Sequence, residues 1–177
     1  MLCQLRPSQV IFMGAEASLD RQLPQLARML HQEFRCHNIL LTNGVMLPSL
    51  ADVDEVVFSI KAVTDSLHRD YTGKSNRGAL ENFVTIYRSG IRLRAESILI
   101  PGYIDRAEIE NIAQFIASVD RAIPYRIDAY IPVGDNPWRR PTLQEMEEAA
   151  EAAGRYLEHV SYLSGDESLK YEVIRIF

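Results

Sequence analysis

The chain has 177 residues, 47% hydrophobic and 24% charged, with a formal net charge of −5, which fits a single soluble domain with a sizeable core. The negative balance argues against a general nucleic-acid surface, and no apolar run reaches the roughly 18 residues that cross a bilayer. Residues 1–7 lack an apolar signal core, so the expected location is the cytoplasm; Cys3 and Cys36 are too few and too far apart for a zinc or iron-sulfur site of their own.

Gln9 to Met13 reads as a β-prone run stopped by Gly14. Leu19, Leu23, Leu26, Ala27, Leu30 and Phe34 then recur at helical spacing, with Ser18 or Asp20 as the N-cap and Pro24 in the first turn. A second strand, Asn38 to Thr42, ends at Asn43-Gly44, and Ser49 to Asp54 leaves room for a turn or two of helix. Val56 to Lys61 is the third strand, followed by a loop carrying His68, Tyr71, Gly73 and Lys74. Leu80, Phe83, Val84 and Tyr87 form a helix capped near Gly90. Ile91 to Ile100 is the fourth strand, broken by Pro101-Gly102, and Ile109, Ile112, Ala113, Ile116 and Val119 make an amphipathic helix. Tyr125 to Ile131 is the fifth strand. After a loop holding Trp138, Thr142 and Glu145 have capping-box spacing and open a helix whose apolar face runs to Leu157 and Val160; Tyr171 to Phe177 reads as a last strand.

The strands share one pattern. Val56, Phe58 and Ile60 alternate with Val57, Ser59 and Lys61; Leu93, Ala95 and Leu99 with Arg92, Arg94 and Glu96; Tyr125, Ile127 and Ala129 with Arg126, Asp128 and Tyr130. Strands covered by helices on both faces read as continuous apolar runs. One apolar and one charged face instead predict an α/β partial barrel: parallel strands, helices on the outer face, a polar concave side. Its chemistry belongs at the C-terminal strand ends, which here carry Gly14-Ala15-Glu16, Thr42-Asn43-Gly44, Ser59 to Lys61, Pro101 to Asp105 and Tyr130 to Gly134.

Those segments, in that order, together with Leu67-His68-Arg69-Asp70-Tyr71-Thr72-Gly73, Asn82 and Ile100-Pro101-Gly102-Tyr103, resemble radical SAM enzymes of the glycyl-radical-activating type, the group of pyruvate formate-lyase activating enzyme. The resemblance runs from about Val10 to the helix at Thr142. It implies a partial (β/α) barrel that binds S-adenosylmethionine beside a [4Fe-4S] cluster and cleaves it to a 5'-deoxyadenosyl radical for hydrogen abstraction. By the same resemblance Gly14, Ala15 and Glu16 hold the methionyl amino group, Ser59 and Lys61 sit near ribose and carboxylate, and Ile98 to Gly102, with Ile100, and Tyr130 flank the adenine. Asn43 joins this cofactor-binding set, and strand parity points Glu96 and Arg94 into the cavity, where contact with cofactor or substrate is expected. No catalytic residue and no metal ligand is assigned on this chain.

The departures are as specific. The family's CxxxCxxC loop, which lies before the glycine motif and supplies three cluster thiolates, has no counterpart, Ala15 replaces the second glycine, and Leu41 and Ser59 stand where aspartates are usual. The expectation is a single domain over residues 1–177, the C-terminal portion of such a barrel without its first strand-helix unit: a fragment, a misplaced start or half of a split enzyme. Such a chain is expected to carry no cluster and to be inactive alone, with a cysteine-bearing partner chain or a homodimer meeting the open edge at Gln9 to Met13. Two other readings stand beside it: an aldolase-like barrel fragment using Lys61 as a Schiff-base lysine, and a non-enzymatic half-barrel that binds a partner. Gly73-Lys74-Ser75 is not a phosphate loop, since His68 stands where that motif needs glycine. His68 and Tyr71 are read as loop packing, His31, His37 and His159 as surface residues, and Glu96, Arg94, Arg126 and Asp128 equally as an ion-pair network.

Overall fold

The structure, a computed structural model, describes residues 7–167. Six strands form one sheet: β1 Gln9–Phe12, β2 His37–Thr42, β3 Glu55–Ser59, β4 Arg92–Leu99, β5 Tyr125–Ala129 and β6 Val160–Leu163. A 3-10 turn, Ala17–Leu19, precedes helix α1, Leu23–Phe34; then come α2 Asp65–Thr72, α3 Arg77–Arg88, α4 Arg106–Val119 and α5 Leu143–Gly154. The spatial strand order is the sequence order, and every pair is parallel. A doubly wound sheet reverses direction at some strand and so places helices on both faces. A monotonic order with right-handed crossovers keeps the helices on one face. The architecture is therefore the partial α/β barrel that the alternating strands predict.

The period-two alternation survives in detail. In β4, Leu93, Ala95, Ser97 and Leu99 are buried, while Arg94, Glu96 and Ile98 reach the opposite, concave face. In β5, Tyr125, Ile127 and Ala129 are buried and Arg126 and Asp128 are not. Register then places Ser59 beside Glu96 and Glu96 beside Arg126 in one row across the concave face. On the convex side, Ile109, Ile112, Ala113 and Ile116 of α4 are fully buried, and Phe58 meets Phe83 edge-on at 5.2 Å between ring centres. Ser97, a polar residue on this apolar face, lies 2.5 Å from the Tyr125 hydroxyl, which removes the cost of an unpaired buried hydroxyl.

Several element expectations need correction. Residues 65–72 form α2 rather than a loop, because Leu67, His68 and Tyr71 share one face and Gly73, at φ 76°, accepts the left-handed turn that ends it. No helix forms over 49–54. Helix α1 starts later than expected, its N-cap being Gln22 with no side-chain cap, although Asp20 Oδ1 accepts from the Gln22 N–H at 2.8 Å. The last helix does not continue to Val160: α5 ends at Gly154, and Val160 opens β6 beside Tyr125. The Thr142–Glu145 capping box forms with both of its bonds. The strand expected at Tyr171 to Phe177 and the residue Cys3 lie outside the described residues.

Candidate functional site

Glu16 ties the first two strand ends together. Its carboxylate accepts from the Ser18 N–H at 3.1 Å, the Thr42 hydroxyl at 2.7 Å and the Asn43 N–H at 2.8 Å. Burial pushes this carboxyl up, but the bonds from Ser18, Asn43 and Thr42 outweigh it and hold the group below the usual glutamate range. The turn after β2 is shaped for this. Gly44 sits at φ +74°, and a Cβ there would lie 2.0 Å from the Phe58 ring. The Asn82 amide donates to the Gly44 carbonyl at 2.9 Å, fixing the turn to α3.

Beside this clamp lies a cavity of about 620 Å³, lined among others by Glu16, Asn43, Lys61, His68, Tyr71 and Lys74. Lys61 follows directly from β3, and its ammonium donates to Ser59 Oγ at 2.9 Å. Among the described residues no carboxylate lies within 4 Å of it. Burial pushes the Lys61 amine down, partly offset by the fields of Glu96, Glu16 and Asp128. Burial pushes the Glu96 carboxyl up, against the opposing pull of Arg126. Arg126 bridges two acids, reaching Glu96 at 2.7 Å and gripping Asp128 with two bonds of 2.7 and 2.9 Å. The concave face thus carries a row of paired charges that ends in a lysine with unused donors.

An aromatic group closes the neighbouring strand ends. Trp138, from the loop after β5, stacks on Tyr103 at 4.7 Å and meets Tyr130 edge-on at 5.9 Å, with Tyr71 against both Tyr103 and Trp138. Tyr103 donates to Asp70 of α2 at 2.6 Å, which anchors the group. The Tyr130 hydroxyl is buried without a hydrogen-bond partner among the described residues.

Of the residues singled out in the sequence, Glu16, Asn43 and Lys61 share the cavity, with Ser59 bonded to Lys61 and Glu96 next to Ser59 in register. Gly14 and Ala15 form the bend that delivers Glu16, and Tyr130 stands in the aromatic group. Ile100 does not reach the cavity: it is fully buried in the core, and its backbone is bonded to Ile104 and Tyr103. Parity gives the concave position to Ile98 instead. Arg94 points to the concave face but at the opposite end, where it pairs with the buried Glu55 beside His37 and Arg92. His31 and His37 are not free surface residues: His31 Nε2 lies 2.8 Å from Asp54, and His37 Nε2 3.4 Å from Glu55. The ion-pair network exists with different partners, Glu96–Arg126–Asp128 and Arg94–Glu55. Sequence reasoning did not find the contribution of Thr42 Oγ1 to the Glu16 clamp, and the strand-end position of Thr42 was its only signal.

No cysteine set for a cluster is present among the described residues: Cys36 is buried, and its thiol is 3.0 Å from the Pro7 carbonyl. No group of three or more potential ligands gathers there either. The donor set of this cavity does suit a zwitterionic molecule, since an ammonium with spare donors and a carboxylate share it.

No protein-family model matches the chain. A Methanocaldococcus jannaschii protein, provisionally named a glycyl-radical enzyme activating enzyme, is 32% identical over 161 residues, covering 86% of this chain and 62% of the relative. The chain thus spans less than two thirds of that relative's length. Among solved structures, a domain of pyruvate-formate lyase-activating enzyme from Bacteroides vulgatus superposes with a TM-score of 0.72 at 16% identity, covering 88% of this chain and 98% of that one. A radical SAM methyltransferase from Sphaerobacter thermophilus gives 0.73 at 17% identity, over 88% of this chain and 50% of that one. Streptococcus suis SuiB bound to S-adenosylmethionine gives 0.69 at 12% identity, over 88% of this chain and 38% of that one. At these identities the three structures speak to the fold.

Proposed function

We propose that this chain, which is of the radical SAM, activating-enzyme-like type, forms the S-adenosylmethionine-binding part of an enzyme whose cluster thiolates come from elsewhere. The observation that carries this reading is the convergence of Glu16, Asn43 and Lys61 on one cavity at the C-terminal strand ends, where a barrel of this class keeps its chemistry. When bound, the cofactor would supply a carbon radical able to abstract hydrogen from a substrate. The chain's own residues do the holding. Lys61 offers its unused N–H donors to a carboxylate and Ser59 orients that ammonium. Glu16, already fixed by three donors, presents negative charge toward an amino group, although those bonds leave it few free lone pairs. The Tyr130 hydroxyl and the aromatic group around Trp138 suit the flat base.

The second part of the reading, cluster-forming cysteines on another segment or chain, rests on the shortage of thiols: two cysteines against the three of a CxxxCxxC loop. Anaerobic reconstitution with iron and sulfide tests it. The chain alone is expected to hold no reducible cluster, and a complex with a cysteine-bearing segment to give a cluster EPR signal after dithionite. A stoichiometric, reducible cluster on the isolated chain would overturn this part.

A further inference from the structure

We propose that Lys61 captures small anionic carbonyl compounds, 2-oxo acids in particular, as a protonated imine inside the 620 Å³ cavity. This activity stands on the geometry around Lys61 and does not depend on S-adenosylmethionine. Three observations carry it. Lys61 projects into a cavity large enough for a small acid, and among the described residues no carboxylate sits within 4 Å to hold its nitrogen as an ion pair. Among the described residues its one hydrogen-bond partner is Ser59 Oγ at 2.9 Å, and Ser59 stands directly beside Glu96 in the sheet. Lys74 lines the same cavity and supplies a second positive charge for the carboxylate of the bound acid.

The step balances without an oxidant or a reductant. Lys61 passes one proton through Ser59 to the Glu96 carboxylate, leaving a neutral amine whose lone pair attacks the carbonyl carbon. A C–N bond forms, and the carbonyl oxygen takes the second proton of that nitrogen to give a carbinolamine. Glu96 then returns its proton to the hydroxyl, the C–O bond breaks and water departs. The product is a protonated imine, and one water molecule is released per carbonyl bound. Burial moves the amine down and the carboxyl up, which eases the first transfer from Lys61 to Glu96; the return of that proton is driven by the departure of water.

The sequence provides its own controls, because Lys61, Lys74 and Lys170 are its three lysines. The full chain is incubated with glyoxylate or pyruvate and sodium cyanoborohydride at neutral pH, digested, and the adduct mapped by mass spectrometry. Lys61 is expected to be labelled at least about tenfold faster than Lys74 or Lys170, within what a positioned acid-base partner provides. Glu96→Gln, checked for folding by circular dichroism, is expected to slow labelling at Lys61 while leaving the other two lysines unchanged. Equal labelling of the three lysines, or none at Lys61, would overturn the proposal, as would an unaltered rate at Lys61 in folded Glu96→Gln. Since no cofactor is present, none of these outcomes depends on whether S-adenosylmethionine binds.

Discussion

Replacing Glu16 by glutamine tests whether the clamp between β1 and β2 depends on a carboxylate. Glu16 Oε1 accepts from the Ser18 N–H and the Thr42 hydroxyl, and Oε2 accepts from the Asn43 N–H. An amide has one oxygen, so its NH₂ must face one of these sets of donors. The cheaper orientation leaves the Asn43 N–H facing a donor, at about 1–3 kcal/mol, and turns two charge-assisted bonds into neutral ones. Glu16 is only half-buried, so water recovers part of this, and the expected net loss is about 2 kcal/mol. For a chain of this size that corresponds to roughly 4–8 °C in melting temperature. Urea unfolding at pH 7 and a thermal scan read it. The pH dependence is a second check. The folded carboxyl lies below its ordinary value, so its contribution is complete above the unfolded value near 4.3 and disappears as pH falls through the folded value. Wild type and Glu16→Gln are therefore expected to converge in acid. A difference under about 0.5 kcal/mol at pH 7, the scatter of an ordinary surface substitution, would refute the clamp.

Gly44→Ala combines a positive φ with a ring contact at 2.0 Å, so about 1–2 kcal/mol of backbone strain adds to about 1–3 kcal/mol for moving the packed Phe58 ring; its urea midpoint is expected to fall accordingly. His31 is held above the ordinary histidine range chiefly by its bond to Asp54. Its contribution is therefore present below about pH 6.5 and lost as pH rises through the raised folded value. His31→Gln is expected to cost under about 1 kcal/mol at pH 6, since the pair is partly exposed, and nothing at pH 9, as measured by urea unfolding at the two values. Thr142→Ala removes the cap that accepts from Glu145 N–H and opens the capping box of α5, with an expected loss of about 1 kcal/mol in the same assay.

What was legible in the sequence follows from the range of each interaction. The charged concave face could be read because strand side chains alternate with period two, so Arg126 and Asp128 are bound to share a face once Tyr125 and Ile127 are placed in the core. The pairing of Glu96 with Arg126 rather than with Arg94 was not legible, because it depends on the register of β4 against β5. The Glu16 clamp joins residues 26 and 27 positions apart and appears only when β1 and β2 lie side by side. Helix α2 was missed because its apolar positions are few and the polar residues Asp65, Arg69 and Asp70 dominate its surface. β6 was missed because the alanine-rich pattern of α5 runs in phase as far as Val160, while the break at Gly154 carries little weight within a helical pattern. The cofactor role of Ile100 comes from the resemblance alone; in the structure Ile100 is buried just after β4, and Ile98 takes the open face.

Calorimetric titration of the chain with S-adenosylmethionine, wild type against Lys61→Met, tests the central claim most directly. The account predicts a measurable binding heat for the wild type and an affinity reduced by about tenfold or more in Lys61→Met, equivalent to about 1.4 kcal/mol or more, with folding unchanged by circular dichroism. No binding heat for the wild type, or equal affinity in the two proteins, would contradict it.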